Sequence, residues 1–450
     1  MPTDPPEIPN LAERTPSNTA WIDTLKKDEP RDVANQLVDL SVEGIRDVIR
    51  TLPDSQSAEV VQEFNPSLQV ELFEQMQLHR VSGIVDQMPL DDAADILAEV
   101  PAGRLNDILR KLPAESAAKI IEILGYPADS AGGIMNPDFI AVQEDFTIHE
   151  AVNFLRKHDQ AGKKGLFYIY VTDKEGRLRG VLRVRDLVLS APDRKISDVM
   201  ISQVRSASVH ADQEDIAALF RDHHFSALPV VDDFQKLCGV ITGEDAIEVI
   251  EEEATEDMQR MIGLSGEEML DTPWKISLKN RLPWLFVNLG TAVLAGWVVS
   301  VFEPTIAKYA VLAVFLPIIA GQGGNAGTQT LTIMVRSMAL GGIEGRQKRR
   351  ILSKELLVAL CTGLATGLTV GVIGWLWAGD AVLGIIACIA LLLNMLTAAA
   401  SGVLIPLGLK ALKIDPALAS SIMLTTVTDV VGFFIFLGLA ATGLHYFPLQ

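Results

Sequence analysis

One carboxylate stands in the middle of a long apolar run. Residues 416–438 read Pro-Ala-Leu-Ala-Ser-Ser-Ile-Met-Leu-Thr-Thr-Val-Thr-Asp-Val-Val-Gly-Phe-Phe-Ile-Phe-Leu-Gly, with Asp429 among Thr425, Thr426 and Thr428. The run can cross a bilayer as a helix, which takes roughly 20 residues. An ionised group at that depth costs at least about 2.5–3.5 kcal/mol on insertion scales, so it faces a wet cavity or a partner. Two chemistries meet that demand: a cation site in a pore, or a protonated Asp bonded to a neighbouring helix. A second polar run, Pro317-Ile-Ile-Ala-Gly-Gln-Gly-Gly-Asn-Ala-Gly-Thr-Gln-Thr330, offers Gln322, Asn325 and Thr328. Its four glycines and proline either free backbone carbonyls to line a cavity or allow close helix packing. Asn394 is a weaker polar candidate in a later apolar run. Donors that are all oxygen suit a hard cation, Mg²⁺ or Ca²⁺, over Zn²⁺ or Cu⁺. Mg²⁺ sheds water reluctantly, so its pore should offer few direct carboxylates. One Asp per chain, doubled in a symmetric dimer, fits that need.

The elements that must position these residues follow from the apolar pattern. Five runs, at about 282–302, 309–335, 356–378, 381–409 and 416–444, read as membrane spans of an all-α transmembrane domain over 279–450. Arg346-Gln-Lys-Arg-Arg350 and Lys354 lie between runs two and three, and Lys410 and Lys413 between runs four and five. The positive-inside rule then places the N-terminal part in the cytoplasm and the C-terminus outside. Residues 1–20, rich in Pro, Ser, Thr and Asn, read as a disordered lead-in. Over 21–130 short amphipathic runs are punctuated by Leu52-Pro53, Met88-Pro89, Val100-Pro101 and Leu112-Pro113, with each proline suited to the first turn of a helix. The expectation is an α-helical solenoid-like domain. On it, Asp91 and Asp95 stand four residues apart, either as a solvated face or as acids awaiting a counter-ion.

Residues 131–245 repeat a β-α-β-β-α order. Met135 and Met200 are 65 residues apart, and Gly180 and Gly239 are 59 apart. Over 246–278 comes an acidic linker helix, with Ile247, Ile250, Ala254, Met258 and Met261 on one face and Glu253, Glu256 and Asp257 on the other.

Composition narrows the function class. Only six of the 57 Asp and Glu, but ten of the 38 Lys and Arg, lie in 281–450, which leaves a formal charge of −23 on residues 1–280. Such an acidic soluble part excludes nucleic acid as a partner and suits cations. Cys238, Cys361 and Cys388 make no metal-ligand spacing, and His210, His223 and His224 read as surface or packing residues. There is no nucleophile–base pair and no phosphate loop, so no enzyme is expected. The N-terminus shows no basic n-region or apolar h-region, so no cleavable signal peptide is expected.

The duplicated 131–245 region resembles a pair of CBS domains, and its second copy carries Gly239-Val-Ile-Thr-Gly-Glu-Asp245. The resemblance implies a nucleotide site, with ATP held at Thr242 and Asp245; the first copy has Arg183 where the Thr would stand. The whole order of acidic helical repeat, CBS pair, linker helix and spans bearing Gly-Gln-Gly-Gly-Asn and Thr-Asp-Val-Val-Gly resembles the MgtE family of magnesium transporters. That resemblance implies a homodimeric Mg²⁺ channel of the cell (inner) membrane. Spans two and five would line its pore through Gly321, Gly324, Asn325 and Thr425. Asp429 matches the carboxylate at the pore ion, and Asp415 matches the acid at the cytoplasmic mouth. It further implies closure by cytosolic Mg²⁺ on Glu59, Asp91 and Asp95, on Asp212, Glu214 and Asp245, and on Glu253, Glu256 and Asp257. His224 stands where relatives can carry a sensor acid, and Ser421-Ile422 where they can carry a helix-bending Pro. Rival readings are a transporter for Co²⁺ or Mn²⁺, an exporter, and a membrane-anchored CBS nucleotide sensor.

Overall fold

A helix begins every twelve residues through the first part of the chain. In the computed structural model, which describes residues 19–157, 168–266, 268–270, 272–340, 343, 346–418 and 420–446, these helices are α1 (Thr19–Leu25), α2 (Pro30–Leu37), α3 (Val42–Ile49), α4 (Asp54–Gln62), α5 (Pro66–Gln75), α6 (Leu78–Val85), α7 (Leu90–Glu99), α8 (Ala102–Leu109) and α9 (Ala114–Ile123). From α2 onward their N-caps are Glu29, Ser41, Pro53, Asn65, Gln77, Pro89, Pro101 and Pro113, each twelve residues after the last. The residue before most of these caps is a buried apolar anchor: Leu52, Phe64, Met76, Met88, Val100 and Leu112. Burying each such side chain contributes about 1.5–3 kcal/mol.

Odd helices stack on odd and even on even, so two helices make one 24-residue repeat. A polar side chain links each repeat to an earlier helix end. Gln56 donates to the Leu25 carbonyl, Arg80 to that of Ile49 and Arg104 to that of Phe73, always 31 residues back. The carbonyls at a helix C-terminus have no partner inside the helix, and these side chains supply one. Two sequence expectations change here. Thr19 and Ala20 already belong to α1, and the rest of the expected lead-in lies outside the described residues. Pro53, Pro89, Pro101 and Pro113 occupy the N-cap with extended ψ, not the first turn; Pro30 and Pro66 take the position just inside.

Two three-stranded sheets follow. The first copy is β1 (Ala141–Gln143), α10 (Ile148–Lys157), β2 (Tyr168–Thr172), β3 (Leu178–Arg183) and α11 (Val184–Leu189). The second is β4 (Ala207–Ser208), α12 (Gln213–His223), β5 (Ala227–Val231), β6 (Leu237–Thr242) and α13 (Gly243–Met261). In each, the first strand pairs parallel and the third antiparallel to the central one. The sequence pattern carries the first helix of this region to His158 and starts the following strand at Phe167, and both residues lie outside the described residues. The copies exchange their leading segments. Met135 packs on Gly239 and Met200 on Gly180, where a Cβ would come within 2.6 and 2.8 Å of the methionine.

The chain divides into two compact units, Met1–Ile250 and Glu251–Gln450. The second holds five long helices: α14 (Trp274–Val301), then, after the short α15 (Glu303–Lys308), α16 (Leu312–Ala339), α17 (Arg346–Ala378), α18 (Ala381–Ala411) and α19 (Ser420–Tyr446). All of these except α15 and α16 are long and apolar enough to cross a membrane. α16 has matching length but carries the Gly-Gln-Gly-Gly-Asn run. Three expectations are corrected. α13 ends at Met261 and α14 starts at Trp274, so 246–278 is not one continuous helix. The basic run 346–350 forms the first turns of α17 and not a loop. α16 runs unbroken through its four glycines, so the Gly-rich run does not open the helix, and Pro317 takes the helical donor only from the Ala313 carbonyl one turn before it. A membrane favours that outcome, because a broken helical bond finds no water to replace it.

Candidate cation pathway

Buried residues of α19 recur every fourth position, at Ser420, Leu424, Thr428, Gly432, Phe436, Ala440 and Leu444, with Leu437 buried beside Phe436. This stripe packs on α16 and α18. Asp429 stands one residue off it and is half-buried, and Thr425, one turn earlier, is exposed. Thr426 and Thr428 donate their hydroxyls to the helix's own carbonyls, of Ile422 at 2.7 Å and of Thr425 at 3.0 Å. Among the described residues no hydrogen bond or ion pair reaches Asp429.

What fixes α19 at this level is Asn394 of α18, fully buried, whose Nδ2 donates to the Ile319 carbonyl of α16 at 3.0 Å. It is wedged between two glycines: a Cβ on Gly323 or Gly432 would fall 2.3 or 2.7 Å from that nitrogen. Among the described residues its Oδ1 has no donor. Gly327 meets Leu424 of α19 in the same way. The packing role of small residues is therefore real at Gly323 and Gly327. It does not extend to Gly321 and Gly324, where a Cβ would meet nothing within 4 Å. With exposed Asn325, Thr328 and Thr332, Gly321 makes a polar stripe on the uncovered side of α16.

Asp415 occupies the turn before α19. One of its oxygens accepts from the Ala417 backbone N–H at 2.8 Å, and the other from Arg260 Nη1 at 2.8 Å. Arg260 also pairs with Glu256, one turn back on α13. The end of that helix is seated further: Met261 packs beside Leu331, Val335 and Leu424, and Ser421 Oγ donates to the Met261 carbonyl. Ile422 meets Gly263, whose φ of +82° turns the chain toward α14. Gln259 exchanges hydrogen bonds with the Glu268 backbone, and Glu268 pairs with Arg281 of α14 at 2.7 Å. That guanidinium holds the Glu268 carboxyl below the usual carboxylate range. Arg260 was missed in sequence reading, though it is the one basic residue in the acidic 243–264 run.

The other expected acids scatter. Glu59 and Asp95 are exposed. Asp91 is buried, and Asn136 Nδ2 donates to it at 3.0 Å. Asp212 caps α12 by accepting from the Glu214 N–H at 2.9 Å, and Glu214 is exposed. Glu253, Glu256 and Asp257 are half-buried on α13. Asp245 accepts from the Thr242 N–H at 2.8 Å while its own N–H faces Thr242 Oγ1, a reciprocal cap at the start of α13. In the first copy Arg183 pairs with Asp186 at 2.6 Å over the same spacing. His224 ends α12 in the left-handed conformation, which His tolerates better than bulkier residues. Among the described residues no three His, Cys, Asp or Glu converge tightly enough to hold a metal ion.

Comparison with known proteins decides the family. Residues 316–439 match the divalent cation transporter family MgtE, 28–129 the MgtE intracellular N domain, and 131–192 and 196–252 the CBS domain. The magnesium transporter MgtE of Bacillus subtilis (strain 168) is 32% identical over 331 residues, 73% of either chain. That of Enterococcus faecalis (strain ATCC 700802 / V583) is 35% identical over 333 residues, 74% of this chain and 73% of the relative. This chain belongs to the MgtE family. MgtE proteins are transporters and not enzymes, and this one is a membrane protein with a helical N-terminal domain and a CBS pair. The solved cytosolic domain of the Mg²⁺ channel MgtE in complex with ATP aligns at 33% identity, over 51% of this chain and 94% of that one, with a TM-score of 0.48.

Proposed function

We propose that this chain carries Mg²⁺ into the cytoplasm as a homodimer, along a path lined by α16 and α19, and that cytosolic Mg²⁺ closes it. The observation that carries this reading is Asp429. It is the one acid within α19, and no described group neutralises it, although α19 packs through Leu424 on Gly327 of α16. A carboxylate at membrane depth without a partner needs water or a cation. The polar stripe of Gly321, Asn325, Thr328 and Thr332 lies on the side of α16 that this chain leaves uncovered. A second copy related by a two-fold axis would enclose that stripe and bring two Asp429 side chains to one path. Two carboxylates with hydroxyls and amides give oxygen donors alone and leave a hydrated Mg²⁺ most of its waters.

Orientation follows from charge. The basic first turns of α17, Lys410 in the last turn of α18 and Lys413 just after it mark the cytoplasmic end of the cell membrane, so the N-terminus is inside and the C-terminus outside. Asp415 then sits at the cytoplasmic mouth. For regulation, the −23 charge on residues 1–280 favours ion binding to a compact, closed state. Glu59, Asp95 and Glu214 are exposed enough to take part, whereas Asp91 acts through its bond to Asn136. ATP at the CBS pair would use the Thr242 hydroxyl and the Asp245 carboxylate, which the helix cap already orients.

The test is Mg²⁺ flux into proteoliposomes at low and high cytoplasmic-side Mg²⁺, with Co²⁺ and Mn²⁺ as competitors. Flux that falls as Mg²⁺ rises supports the reading. No flux under either condition overturns it in favour of an anchored nucleotide sensor.

A further inference from the structure

On the side of α16 away from the polar stripe, at the end of the bundle that carries Lys348, Arg349 and Arg350, α16, α17 and α18 enclose a cavity of about 210 Å³. Ile333 and Ile351 form its apolar walls, Thr330, Ser337 and Glu355 supply polar atoms, and Lys354 stands at its rim. Glu355 is only 6% exposed. Its Oε1 accepts from Lys354 Nζ at 2.8 Å and its Oε2 from the buried Thr330 hydroxyl at 3.1 Å. The proposed ion path uses none of these groups. As a way of holding α16 and α17 together they are a poor choice, since apolar side chains of the same volume pack without the desolvation penalty of an ion pair.

We propose that this cavity receives the headgroup of a membrane phospholipid whose phosphate is esterified to a group bearing hydrogen-bond donors, of the phosphatidylglycerol or phosphatidylethanolamine kind. The phosphate pairs with Lys354, whose side chain is 63% exposed and so can turn to it. The headgroup O–H or N–H donates to Glu355, each of whose oxygens has accepted one bond and can accept another. The acyl chain runs over Ile333, which is 55% exposed. Basic pockets between membrane helices are where anionic headgroups gather. The buried carboxylate adds a filter that a basic rim alone lacks, because a choline headgroup has no N–H or O–H to give it.

The experiment places the full-length protein in nanodiscs of phosphatidylcholine containing a minor fraction of phosphatidylglycerol or phosphatidylethanolamine. Lipids that remain bound are counted by native mass spectrometry. Retention of the donor-bearing lipids over phosphatidylcholine is expected. Lys354→Gln should lower it about tenfold, the loss of one charge-assisted hydrogen bond. Ile333→Trp, which fills the cavity without changing charge, should lower it as well. Should that variant not fold, the isosteric Glu355→Gln is used, and its discrimination against phosphatidylcholine should shrink. Equal retention of phosphatidylcholine overturns the proposal, as does retention unchanged in Lys354→Gln. A loss in Lys354→Gln without one in the cavity variant also overturns it, since the lipid would then sit on the basic rim outside the cavity.

Discussion

In the helical array, Pro53, Pro89, Pro101 and Pro113 stand just outside helices, whereas Pro283, Pro317 and Pro406 lie inside helices of the second unit. Carboxylates divide in a similar way. Asp54 pairs with Arg80, Asp91 receives Asn136 and Asp173 pairs with Arg179 at 2.7 Å, while Asp429 has no such partner among the described residues. The surroundings explain both contrasts. Water replaces a backbone bond that proline removes, so a helix in water can stop there; lipid offers no replacement, so the helix continues. An acid without a partner is tolerated in a membrane only where ions or water reach it, which makes it informative there and ordinary elsewhere.

Four measurements would break or sharpen this comparison. The largest effect is expected at Asp429: Asp429→Ala should reduce Mg²⁺ flux to background while size-exclusion chromatography still gives a folded oligomer. Normal flux would remove the functional half of the contrast. Next is the array, where Arg80→Ala strips hydrogen bonds from the Ile49 and Leu52 carbonyls and the pair with Asp54. A loss of about 3 kcal/mol in hydrogen-exchange protection at the end of α3 is expected, against about 1 kcal/mol for the neutral Gln56→Ala at the end of α1. Equal losses would mean that charge adds nothing at these caps.

Third, two glycines on one helix should behave differently. Gly323→Ala forces a methyl onto Asn394 and should destabilise by about 1–3 kcal/mol, visible as a lowered Tm in detergent. Gly321→Ala meets open space and should leave the Tm unchanged. Smallest is Arg260→Gln, whose two partners lie in partly exposed positions. It should raise protease cleavage after Met261 and leave residual flux at high Mg²⁺, and unchanged cleavage would count against a clasp at Asp415.

The sequence was most legible where one periodicity ruled. The β-α-β-β-α order of the duplication was legible in both copies, because strand, turn and helix signals agreed there. The long apolar runs located the membrane helices, but α14 and α17 begin eight and ten residues before the runs at 282 and 356. α14 and α17 carry Lys and Arg in their first turns, side chains whose long stems suit a membrane edge, so charge did not mark the helix start. Two of the pairings that set the site were not visible in one dimension. Asn394 and Gly432 lie 38 residues apart, and Arg260 and Asp415 lie 155 apart. Only the odd placement of each residue, an amide in an apolar run and a base in an acidic one, gave any hint. The twelve-residue beat was partly seen through four prolines. It was hidden elsewhere because Ser41, Asn65 and Gln77 fill the same cap position with different chemistry.

That beat also sets how the array can change in length. Each tie runs from a polar side chain to a carbonyl 31 residues back, so it crosses from one 24-residue repeat into the one before and recurs every 24 residues; adding or deleting one full repeat re-forms every tie with the next copy of the same parts. A change of any other size would leave a helix end uncapped or swap odd for even stacking. The N-terminal arm of such a transporter should therefore lengthen or shorten in whole steps, as a ruler does by its graduations, and engineered insertions of 24 residues should be accepted where insertions of 12 are not.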